Sequence, residues 1–152
     1  MNEIKITWNH GKGTMHIFLD RWMEMRSITK FKKLVKIINK SDQPEILDVI
    51  SEWCSDFIEQ SEPQMKTLAN MLVGYKDKIP YATQKYEKAI AERNHYRRGT
   101  KPYKAMTQYV KNTKSDLQEL KNALCQTNQK FTKMQKMKDY CTKCLEILSE
   151  RR

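Results

Sequence analysis

The strongest pattern along the chain is an alternation of three- and four-residue steps that runs without a slip from Met65 to Tyr96. It passes through Leu68, Leu72, Tyr75, Ile79, Ala82, Tyr86, Ala89 and Arg93. Such steps keep side chains on one stripe of an α-helix, so the spacing predicts a helix packed at a shallow angle on a partner helix. Pro80 falls inside the run and removes one helical hydrogen bond. Because the register continues past it, a kink is expected there and not a domain boundary.

Arg98-Gly99-Thr100-Lys101-Pro102 is the clearest break in the second half of the chain. Gly just after a last turn and Pro in a first turn are the expected stop and start residues. Beyond Pro102 there is no Gly or Pro through Arg152. Val110, Leu117, Leu124 and Phe131 recur every seven residues, with Met106, Leu120 and Met134 at the complementary position. One helix from about Pro102 to Leu148 follows, roughly 70 Å long at about 1.5 Å per residue.

The second seam has irregularities with consequences. Thr113 and Thr127 occupy core-type positions, and strict continuation would bury Lys138. Met134, Met137, Cys141, Cys144 and Leu148 form a shifted stripe that avoids Lys138. A shift changes which face is buried, so the last turns are expected to dock on the N-terminal part of the chain. The threonine-interrupted seam can be completed within the chain or by a second copy in a homodimer, and the spacing leaves both open.

Upstream, Glu3 to Trp8 alternates with period two, Asn9 to Gly13 has turn chemistry, and Met15 to Leu19 reads as a returning strand. A short helix follows, capped by Ser27 or Thr29, with Phe31, Leu34, Val35 and Ile38 on one face. Ser41 or Asp42 before Pro44 and Glu45 signals the next helix, with Ile46, Val49, Ile50, Trp53, Phe57 and Ile58 at helical spacing. That helix is expected to end near Gln60, with Ser61-Glu62-Pro63 opening another element. The predicted fold is mainly α, or α+β if the N-terminal strands form. Residues 1–62 would be a small subdomain of a β-hairpin and two helices, and 63–152 a coiled-coil-like helical hairpin turning near 98–102.

Charge adds an asymmetry to this picture. Residues 1–60 hold 9 Lys and Arg against 9 Asp and Glu, whereas 61–152 hold 20 against 9 and carry the entire net charge of +11. Arg93 to Lys143 alone has 13 basic residues and 3 acidic ones. Such a field attracts polyanions. A solvated, lysine-rich helix surface explains scattered charge but not a neutral half joined to a basic one.

The turn concentrates the candidate chemistry. Arg93, His95, Tyr96, Arg97, Arg98, Lys101, Tyr103, Lys104 and Tyr109 fall around it, with Lys111 and Lys114 following on the second helix. Arginine offers forked donors that match phosphate, and tyrosine stacks on bases. The plain alternative is an exposed turn with its tyrosines packed in the seam, where Tyr96 falls by spacing. The remaining lysines of the second helix spread around its solvent side, which suits tracking a phosphate backbone better than reading bases.

Other motifs carry less. Cys141-Thr142-Lys143-Cys144 has C-x-x-C spacing but no second ligand pair, and it lies near a helix C-terminus, the wrong end to stabilise a thiolate. It reads as core. His10-Gly11-Lys12-Gly13-Thr14 lacks phosphate-loop spacing and reads as a hairpin turn. His16, Asp20 and Glu24 would share a helical face without a supporting cluster. No export signal lies in Met1–Trp8 and no apolar run reaches the ~20 residues of a membrane span, so a cytoplasmic protein with reduced thiols is expected.

The leading functional expectation is a non-enzymatic binder of nucleic acid or of a nucleoprotein complex, with no catalytic residues, cofactor or metal. The second is a protein-binding inhibitor or adaptor that blocks a nucleic-acid-processing enzyme. By physical type alone, that role compares with phage-encoded anti-CRISPR proteins.

Overall fold

The computed structural model describes residues 28–151 together with Leu19. Three helices make up the described chain: α1 (Ile28–Lys40), α2 (Pro44–Asn94) and α3 (Lys101–Arg151). No strand occurs among the described residues. The expected β-hairpin over residues 3–19 lies outside them except for Leu19, which is helical and fully buried.

Contacts divide the chain into two units. The first holds the chain up to Met65 and again from Thr132 to the C-terminus, and the second spans Lys66–Phe131. Helices α2 and α3 therefore each contribute to both.

The first unit contains the main core. Leu34, Ile37 and Ile38 of α1 meet Ile46, Val49, Ile50, Cys54 and Phe57 of α2 and Met137, Cys141, Cys144 and Leu148 of α3, with Leu19 in the same cluster. The shifted stripe read from the sequence is thus the one α3 buries. Met134 lies half-buried beside it. Lys138, off the stripe, pairs at 3.4 Å with Glu62 of α2. Phe31 stacks on Tyr140 with ring centroids 4.4 Å apart, joining α1 to α3.

The ends of these helices are tied down locally. Pro44 opens α2 behind Gln43, whose carbonyl accepts from the N–H groups of Ile46 and Leu47. Buried Ser41 accepts the Gln43 N–H on its hydroxyl at 3.2 Å. At the far end of α3 the Arg151 guanidinium donates to the Ile38 and Ser41 carbonyls. These lie in the last turn of α1 and just beyond it, where helix carbonyls lack intrahelical partners and a cation complements the dipole.

One predicted boundary is absent. Helix α2 does not stop near Gln60 but runs on through Ser61, Pro63 and Pro80. Ser61 is buried and donates its hydroxyl to the Ile58 carbonyl at 2.9 Å, so it bonds back into the preceding turn instead of capping a new helix. At Pro80 the helix also continues. Pro80 is exposed, and the Thr83 hydroxyl donates to the Ile79 carbonyl at 2.8 Å in the turn around it.

The second unit is a helical hairpin with a thin core. The predicted seam faces inward, but most of it is only half-buried. Leu68, Leu72, Tyr75, Ile79, Ala82 and Tyr86 on α2, and Leu117, Leu120 and Leu124 on α3, all keep some exposure. Fully buried positions here are Ala89, Val110, Thr113 and Thr127. Two of these four are threonines, and Thr113 satisfies its hydroxyl by donating to the Val110 carbonyl at 3.0 Å. Two helices alone cannot enclose a seam, so the unit stays wet along both flanks.

Candidate nucleic-acid interface

The connection between α2 and α3 is short and well determined by local bonds. Helix α2 ends in tight i→i+3 bonds, with His95 N–H donating to Glu92 and Tyr96 N–H to Arg93. Gly99 adopts φ of 84°, a left-handed conformation that disfavours any side chain. Thr100 then caps α3. Its carbonyl accepts from Lys104 at 3.0 Å and its hydroxyl from Tyr103 N–H at 3.4 Å, while the hydroxyl itself donates to the Arg97 carbonyl at 2.7 Å. The first turn of α3 contains no acidic residue to complement its dipole.

This geometry sorts the sequence candidates into two groups. Arg97, Arg98, Lys101, Lys104, Tyr109, Lys111 and Lys114 are exposed. Arg93 and Tyr103 are half-buried, and the Arg93 guanidinium lies over the Tyr103 ring at 5.6 Å from its centroid. They occupy each other, so Tyr103 is less available for stacking than its position in the sequence suggests. Tyr96, assigned to the seam by spacing, is instead 46% exposed. Helix α2 ends at Asn94, and beyond that point the three-four register no longer says which way a side chain faces.

The electrostatics of the second unit are one-sided. Residues 66–131 include 14 Lys and Arg against 5 Asp and Glu, leaving a net charge of +2 for the rest of the chain. Among the described residues, none of these 14 cations has a carboxylate within ion-pair distance. The sequence lacks the favoured helical pairing, although Lys88 and Glu92 have the same spacing in the reverse order. A carboxylate followed four residues later by a cation stabilises a helix, but Asp77, Glu87, Glu92, Asp116 and Glu119 are followed at that spacing by Tyr81, Ala91, Tyr96, Leu120 and Ala123. Apart from Arg93, which lies over the Tyr103 ring, these cations make no ion pair or ring contact among the described residues that would stabilise the hairpin itself. Lys76 of one arm and Lys121 of the other also line a groove of ≈ 250 Å³ with Leu124, Cys125 and Asn128.

Sequence reasoning missed two features. Tyr81 is 72% exposed, and the signal was there, since it falls off the seam directly after Pro80. The Lys76–Lys121 convergence needs the pairing of the arms and has no signal in either helix alone.

In the first unit, Cys54, Cys141 and Cys144 are free, buried thiols, with Cys54 in contact with each of the other two. Hydrogen bonding with Cys141, and then burial, pushes the Cys54 thiol up. Hydrogen bonding with Cys54, together with burial, pushes Cys144 up as well. Both stay protonated at neutral pH and are poor nucleophiles. Cys125, in the hairpin, is exposed. No three His, Cys, Asp or Glu side chains among the described residues are grouped to hold a metal. The weighed set His16, Asp20 and Glu24 and the His10–Thr14 turn lie outside those residues. No described helix is long and apolar enough to cross a membrane.

No protein-family model matches the chain, and neither a curated protein nor a solved structure matches it.

Proposed function

We propose that the protein is a non-enzymatic binder of nucleic acid, or of a nucleoprotein complex, acting through the Lys66–Phe131 hairpin. The observation that carries this reading is the set of 14 basic side chains with no carboxylate partner among the described residues. Packed like charges destabilise a compact body and oppose its self-association. A counter-charge supplied from outside relieves both. Arg97, Arg98, Lys101 and Lys104 at the turn take the leading phosphate contacts, with Lys111 and Lys114 extending them along α3. Arg93 contributes through the donors that its contact with Tyr103 leaves free.

The test is a salt titration of affinity for a labelled oligonucleotide. Each phosphate neutralised releases counterions, so log K should fall linearly with log salt, with a slope of about −0.7 to −0.9 per contact. Equal affinity at low and high salt would sink the reading.

Met71 and Val73, 40% and 59% exposed on α2, favour a second reading, because a phosphate backbone has no use for apolar side chains. In it, the same basic hairpin docks on an acidic or guide-binding channel of a nucleic-acid-processing enzyme and blocks it, in the manner of an anti-CRISPR protein. Capture of such an enzyme by a protein that binds no free oligonucleotide would support that reading over the first.

A further inference from the structure

The large apolar side chains that stay exposed among the described residues are Met71, Val73, Tyr81, Tyr96 and Tyr109, and all five lie in the basic hairpin. Three are tyrosines, and Tyr81 is the most exposed of the set at 72%. The ring contacts of the described chain involve other residues, namely Phe31, Tyr140, Trp53, Phe57 and the Arg93–Tyr103 pair. Among the described residues, Tyr81, Tyr96 and Tyr109 make no ring contact, and they keep 72%, 46% and 40% of their surface exposed.

Resting on the nucleic-acid reading above, we infer that the ligand is single-stranded. A duplex stacks its bases on one another and shows a protein mainly phosphate and groove edges. Lysine and arginine suffice for its backbone, and exposed aromatic rings would contribute little. An unpaired strand offers a π-face at every base, and base–aromatic stacking is sequence-tolerant. Cations without carboxylate partners, interleaved with partly exposed tyrosines, are what such a strand needs: charge to hold the backbone and rings to hold the bases. The charge layout agrees. Lysines spread around α3 do not form the single face of base-reading side chains that a helix lodged in a major groove presents.

Tyr96 lies in the connection, Tyr109 two turns into α3 and Tyr81 within α2, so bases would be gripped at the turn and again along an arm. Sugar identity is left open by this chemistry, because stacking and backbone charge serve DNA and RNA alike.

The experiment uses the whole protein and three labelled probes of about 20 nucleotides, enough to exceed a single stacking site of about 4–16. The probes are oligo-dT, oligo-rU and a mixed-sequence DNA duplex, read by anisotropy at equal salt. Both single strands should bind at least about tenfold tighter than the duplex; a preference between them identifies the sugar. Y81A, Y96A and Y109A should each weaken single-strand binding by about 5- to 100-fold, as loss of one stacked base predicts. The salt slope and duplex affinity should not change, and Y81F, Y96F and Y109F should retain binding because the ring remains. These side chains are exposed, and matched thermal melts check that the variants fold. Duplex binding as tight as single-strand binding, or alanine variants that bind undiminished, overturns the inference and leaves the nucleic-acid reading standing. Absence of binding to all three probes overturns both.

Discussion

The guanidinium of Arg93, in the last turn of α2, sits over the ring of Tyr103, in the first turn of α3, at 5.6 Å from its centroid. This contact closes the hairpin across a connection that otherwise relies on Gly99 and the Thr100 cap. The Arg93 Nε is buried without a hydrogen-bond partner, so the ring is what compensates that side chain for lost water. In a double-mutant cycle of R93Q and Y103L, thermal denaturation should show a favourable coupling of about 0.5–2 kcal/mol. Strict additivity would mean the pair is only adjacent.

Charge placement makes a second prediction. R97E/R98E and K32E/K36E change net charge equally, and all four side chains are exposed. Only the first pair lies in the basic hairpin. R97E/R98E should weaken oligonucleotide binding by at least about tenfold at low salt and flatten the salt slope by about 1.4–1.8, the share of two phosphates. The α1 pair should have a much smaller effect. Equal losses from both would show that net charge, not the hairpin, governs binding.

The sequence disclosed this fold unevenly, for physical reasons. Period is a property of single helices, so the seam from Met65 to Ala89 and the shifted stripe at Met137, Cys141, Cys144 and Leu148 were legible. The boundary near Ser61 was misread because Ser-Glu-Pro is a start signal only when the serine is free to cap, and here it faces the core. Tyr96 was misread because a stripe is defined only while the helix lasts. Of the candidate site, exposure of Arg97 and Arg98 followed from the turn residues around them. The occupation of Tyr103 by Arg93 required knowing how the two arms meet.

The two cores should respond differently to truncation. Ile50 is fully buried in the first unit, so I50A removes transfer energy and leaves a cavity, costing about 2–5 kcal/mol. Leu117 is half-buried in the hairpin seam, where water and neighbouring side chains can close the gap, so L117A should cost less than half as much. T113V replaces a buried hydroxyl that bonds only a carbonyl of its own helix, and should be neutral or stabilising by up to about 1 kcal/mol. Urea unfolding of the three variants measures these differences, and a large loss from T113V would reveal a second partner for its hydroxyl.

The thiol cluster makes stability fall at alkaline pH. Cys54 and Cys144 are both pushed up in the folded state, the first chiefly by its hydrogen bond with Cys141 and the second by its bond with Cys54, with burial adding to each. In the unfolded chain they return to the ordinary thiol value of about 8.5. Below that pH both states hold the protons, and the cluster's contribution is fully present. Above it the unfolded chain releases protons that the folded chain retains, so the unfolding free energy drops by up to about 1.4 kcal/mol per pH unit for each thiol. Urea denaturation between pH 8 and pH 9.5 should show this decline, and C54A/C144A should lessen it. Alkylation gives an independent reading. Exposed Cys125 should react with iodoacetamide in the folded protein, while Cys54, Cys141 and Cys144 react only after unfolding. Four thiols labelled at equal rates under native conditions would mean that the first unit opens far more readily than its packing implies.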